Sequence, residues 1–97
     1  MSKHIEWDRV TTEHVASAIA EFDRLGADDF YAVHGFAPAT TYKLVRDANS
    51  YPPKAILGTA YELATGERLA SSDFEGGKSG AVKVLSALGF DVRPLNS

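Results

Sequence analysis

The sequence predicts a compact α+β single domain, mainly helical, with a small antiparallel sheet or hairpin. Three observations carry that prediction. Two long stretches place apolar residues at helical spacing and close on glycine. One stretch alternates with period two. And 97 residues, 44% of them hydrophobic and 24% charged, make one ordinary globular unit spanning residues 1–97.

The first residues put Ile5, Trp7 and Val10 on a segment that reads as a short extended arm. Thr11 or Thr12 then offers a hydroxyl to the exposed N–H groups of a first helical turn. Val15, Ala18, Ile19 and Phe22 recur at helical spacing and Gly26 provides a left-handed stop, so residues 12–25 are read as a helix. A shorter helix follows over 28–34, with Phe30 and Val33 facing inward and Gly35 as its stop. Residues 40–46 alternate, Tyr42 and Leu44 on one side and Thr41, Lys43 and Val45 on the other, which is the pattern of a strand.

Asp47, Ala48, Asn49 and Ser50 supply turn chemistry, leaving only a short returning strand at Tyr51 before Pro52 and Pro53. Pro53 suits a first helical position, and Ile56, Leu57, Ala60, Leu63 and Ala64 trace an apolar face up to Gly66. The loop over 67–80 holds Leu69 and Phe74 as anchors. Val82, Leu85 and Leu88 mark a last helix ending at Gly89, and Phe90, Val92 and Leu95 alternate as a closing strand. The expected core is Trp7, Val15, Ile19, Phe22, Phe30, Phe36, Leu44, Ile56, Ala60, Leu63, Phe74, Val82, Leu85, Leu88 and Phe90.

Composition excludes several functions. With no cysteine there is no disulfide, thiolate metal site or thiol nucleophile. No stretch approaches the roughly 20 apolar residues of a membrane span, and no signal sequence is visible, so a cytoplasmic protein without a membrane partner is expected. His4, His14 and His34 have no metal-ligand spacing, and Ser71 and Ser72 lack a nucleophile elbow. Neither a cofactor nor a metal is expected. Ten basic against thirteen acidic residues give −3, which excludes a generally basic nucleic-acid coat. The acidity is concentrated in residues 1–35. The middle and the C-terminal third are where an anion-binding face belongs.

Two constellations remain. Glu75, Gly76, Gly77, Lys78 and Ser79 resemble a phosphate loop, but the Walker spacing requires glycine where Ser72 stands. The segment reads either as a plain glycine turn or as a turn whose helix-start N–H groups, with Lys78, hold one phosphate. Tyr42, Lys43, Arg46, Tyr51 and Lys54 gather three cations and two aromatics in thirteen residues. Cations neutralise phosphates and rings stack on bases. Alternatively, the two tyrosines pack the core and the cations only solvate the surface.

The residues also carry a family resemblance. Trp7, then Val15, Ala18, Ile19, Phe22, Asp23, Leu25 and Gly26, then Phe30 and His34-Gly35-Phe36 form its first part. Tyr42, Leu44 and Val45 lead into Tyr51-Pro52-Pro53-Lys54-Ala55-Ile56, with Gly58 and Ala60. Asp73-Phe74, Gly76-Gly77 and Leu88-Gly89-Phe90 complete it. From about residue 7 to 92 the chain resembles the N-terminal head domain of ScoMcrA-like, modification-dependent (type IV) restriction endonucleases. Pro52, Pro53 and Asn49 depart from that pattern.

The resemblance implies a non-catalytic accessory module that helps engage double-stranded DNA, plain or modified. Any nuclease activity would then lie in another domain or partner, such as a nuclease or reader module. The DNA-binding residues expected are Tyr42, Lys43, Arg46, Tyr51, Lys54, Gly76, Gly77 and Lys78. Lys43, Arg46, Lys54 and Lys78 should share one face, with Tyr51 the ring best placed to meet a sugar or base. The competing reading is a protein-interaction or regulatory adaptor, favoured by the acidic N-terminal helices.

Overall fold

A computed structural model describes residues 4–96. Its elements are a 3-10 turn at Trp7–Arg9, α1 (Thr12–Leu25), α2 (Ala27–His34), β1 (Tyr42–Arg46), β2 (Asn49–Tyr51), α3 (Pro53–Thr65), a second 3-10 turn at Ser71–Asp73, α4 (Ala81–Ala87) and β3 (Asp91–Pro94). The three strands form an antiparallel sheet in the order β2-β1-β3. Leu44 pairs with Tyr51 on one side and with Val92 on the other. The α+β prediction holds.

α3 organises the core. It is buried from Pro53 to Tyr61 apart from Lys54, which is half-buried. Around it lie α1, α2, α4 and β1. A helix apolar on nearly all sides must be enclosed by its neighbours, and Ile56, Leu57 and Ala60 are each fully shielded. Pro53 occupies the first position, as its missing N–H allows, and Gly66 closes the helix in the left-handed region at φ 78°.

Four expectations require correction. Val82 does not join the core: α4 buries Ala81 and Leu85, and Val84 packs against the cluster instead. Trp7 does not belong to an extended arm. It sits in a 3-10 turn, its ring edge-on to Tyr61 and Phe74 at 5.4 and 5.1 Å, so distant aromatics set the local backbone. Val33 is 53% exposed. The residue α2 turns inward after Phe30 is His34, four positions on rather than three. Leu63 shares the face of Ile56 but is 49% exposed; in the last turn of α3 it is Ala64 that packs against the core. Trp7, Phe22, Phe74, Leu88 and Phe90 flank the buried cluster, which also takes in Val10, Ala18, Tyr51, Ala55, Leu57, Tyr61, Leu69 and Ala81.

Candidate functional site

One end of the fold is built around the start of α3. Gly35, at φ 75°, ends α2 and turns the chain into the segment 36–41. Phe36 opens that segment and seats its ring against Gly58 of α3. A Cβ at Gly58 would stand 2.3 Å from Phe36 Cζ, so only glycine admits the ring. From the other side comes the glycine-rich loop before α4. A Cβ on Gly76 would lie 3.5 Å from the Lys54 side chain, and one on Gly77 4.0 Å from Tyr42 Cε2.

Between these pieces lies a concavity of about 420 Å³. Phe36, Pro38, Pro52 and Pro53 give it apolar walls; Thr40, Thr41, Tyr42 and Ser71 bring hydroxyls; and Lys54 brings a cation. None of its lining residues is acidic. The Lys54 ammonium lies 5.3 Å from the centre of the Phe74 ring, which holds it in place. Pro52 is the N-cap of α3 and no side chain caps the helix, so the positive end of a thirteen-residue helix borders the same space. The neighbouring Glu75 carboxylate accepts the Ser79 hydroxyl at 2.6 Å.

The structure therefore unites Tyr42, Lys54, Gly76 and Gly77 from the expected set, with exposed Lys78 next along the loop. It separates the others. Strand alternation sends Lys43 to the opposite side of the sheet from Leu44, beside Arg93 in the register. Arg46 stands at the far end of β1, 5.8 Å from the centre of the Phe90 ring, with the Asp47 carboxylate 3.9 Å from its Nε. The recess there is lined by Glu13 as well as Arg46. The four cations do not share one face.

Tyr51 is also corrected. It is 5% exposed, edge-on to Phe22 at 5.3 Å, and its hydroxyl donates to the Asp23 carboxylate at 2.9 Å. Burial first, and Asp23 second, raise its phenol above the usual value. Its ring is committed to the core and cannot stack on a base. In the glycine turn, the N–H groups expected to hold a phosphate at the start of α4 are already engaged. Gly80 and Val82 donate their N–H groups to Gly77 O, and Ala81 donates to Glu75 O. The loop's own carbonyls take the donors at the start of α4.

Phe36, Pro38, Thr40, Thr41 and Ser71 were not read from the sequence as site residues. The one signal for them was residues 37–41, Ala-Pro-Ala-Thr-Thr, too small and polar for a core strand. Two histidines have structural tasks. His14 Nδ1 accepts the Thr11 N–H at 3.0 Å while Thr11 Oγ1 accepts the His14 N–H at 3.4 Å, a reciprocal cap on α1. His34 Nε2 meets Glu21 of α1, and its ring lies on Phe30 with centres 4.6 Å apart. Among the described residues no group of three or more His, Asp or Glu is placed to hold a metal ion. No described helix is long and apolar enough to cross a membrane.

Four helices, a three-stranded antiparallel sheet and an acid-free concavity at the start of α3 define, among the described residues, a small α+β domain with a cation-bordered site. The family model described as the ScoMcrA-like N-terminal head domain matches residues 8–94. The chain belongs to that family, the head domains of ScoMcrA-like restriction enzymes. No curated protein and no solved structure matches it.

Proposed function

We propose that this protein is a non-catalytic accessory domain that contacts the DNA backbone through the concavity at the start of α3. In this reading it helps a nuclease or reader module engage its target. The observation that carries the reading is the absence of acid from a site bordered by Lys54, in a chain of net charge −3. A phosphate approaching α1 or α2 meets their carboxylates. At the concavity it meets an ammonium, hydroxyl donors and the positive end of α3. Family membership agrees with a role at DNA.

Fluorescence anisotropy with a short duplex across a salt series tests the proposal, using plain and modified duplexes side by side. Affinity is expected to be micromolar or weaker at physiological salt, as for backbone binding through few cations. The double variant Lys54→Ala, Lys78→Ala should weaken binding and flatten the log–log salt slope by about 0.9 for each phosphate it no longer neutralises. Measurable binding with the slope unchanged in the variant would overturn the proposal.

A second reading rests on a different recess, where Trp7, Val10, Val84, Ala87 and Leu88 lie beside Asp8, Ser79 and Lys83, which suits a protein segment with an apolar centre and polar flanks. It becomes the better account if no DNA binds.

A further inference from the structure

We infer that the concavity at the start of α3 receives one unpaired nucleotide, its base against Tyr42 and Pro38 and its phosphate at Lys54. The inference rests on the DNA-contacting reading above and adds what that reading leaves unexplained. Duplex backbone binding needs cations on an accessible surface. A backbone contact at Lys54 leaves the apolar walls of the indentation without a partner. A duplex can rest a phosphate at the rim of this space of about 420 Å³, but its paired bases stay stacked inside the helix and cannot enter it. A single unstacked nucleotide can, and the volume lies within the range of small-ligand pockets.

The lining matches that occupant part by part. Every base offers a flat apolar face, and the half-buried Tyr42 ring and the exposed Pro38 offer flat apolar partners. Base edges offer donors and acceptors in varied order. The hydroxyls of Thr40 and Thr41 can act as either. That chemistry tolerates any base and selects for an unpaired one. Lys54, held on the Phe74 ring, supplies the charge for the attached phosphate. The Phe36 ring is fixed against Gly58, so the wall is formed before anything binds.

The test compares three labelled DNA probes of equal length: a single strand, a perfect duplex, and a duplex with a one-nucleotide bulge. Anisotropy should give the single strand and the bulged duplex affinities roughly tenfold tighter than the perfect duplex, the effect of about one stacked base. Tyr42→Ala should abolish that preference and Tyr42→Phe should keep it. Quenching of a fluorescent purine analogue in the bulge should follow the same order. Equal affinity for all three probes, with a salt slope that still depends on Lys54, overturns the nucleotide inference and leaves the duplex reading standing. Binding of none of the probes overturns both.

Discussion

Among the described residues two cations lie on phenylalanine rings, and the two ends of β1 mark their positions. Near Tyr42, Lys54 rests on Phe74; beyond Arg46, the guanidinium rests on Phe90. The ring distances are similar, but the surroundings differ. Arg46 has the Asp47 carboxylate 3.9 Å away and shares its recess with Glu13. Lys54 faces a hollow with no acidic lining. The field at a site depends on all the charges around it, so a nearby carboxylate cancels much of what a cation offers a phosphate. A count of lysines and arginines does not find an anion site. The carboxylates that accompany them decide it.

The strongest way to break the comparison is to damage one end alone. Gly58→Ala drives a Cβ into the Phe36 ring beneath the Lys54 hollow and leaves the Arg46 recess untouched. Overpacking costs about 1–3 kcal/mol, and the better helix propensity of alanine returns part of it. A net decrease of about 1–2 kcal/mol in urea unfolding is expected, together with weaker DNA binding. An unchanged urea midpoint would show that Phe36 moves aside freely.

A smaller effect is expected midway between the two ends, where Tyr51 pairs with Leu44. Tyr51→Phe removes the bond to Asp23 and should cost about 1 kcal/mol at neutral pH without changing DNA affinity. Its pH dependence has a definite sign. The folded-state phenol is raised above its usual 10.0, so the unfolded chain ionises first as pH rises. The stability it contributes is complete below about pH 10 and is lost as pH climbs through the folded value. Alkaline denaturation should therefore be steeper for the parent than for Tyr51→Phe. Some steepness should persist in the variant, since Tyr31 is raised too, by burial and then by Asp28. Superimposable alkaline limbs would refute this.

The smallest effect sharpens the comparison by its absence. Arg46→Ala should leave the DNA salt slope unchanged within error, whereas Lys54→Ala alone should lower it by about 0.9. Equal slopes for the two variants would erase the distinction between the ends.

The helices were legible in the sequence because their signals are local. Thr11, Gly26, Gly35, Pro53 and Gly66 sit at starts and stops that backbone chemistry alone dictates. The 3-10 turn at Trp7 was not legible, since Tyr61 and Phe74, which hold it, are more than fifty residues away. The site was half legible. Alternation along β1 already put Tyr42 and Lys43 on opposite sides, and the expectation of a single cationic face set that aside. Tyr51 looked accessible because nothing near it in sequence announces Asp23, 28 residues earlier, as its partner. The glycine loop looked like an anion cradle because composition does not reveal that Gly77 and Glu75 carbonyls consume the donors.

Trp7 has a use beyond packing. It is the sole tryptophan of the chain, and its ring meets Phe74, the same ring that carries Lys54 on its face and Phe36 at its edge. Indole emission responds to the position and polarity of its neighbours. The molecule thus contains its own optical probe, one aromatic ring removed from the hollow, and occupancy there is readable in unlabelled protein as a change in the colour or intensity of its fluorescence.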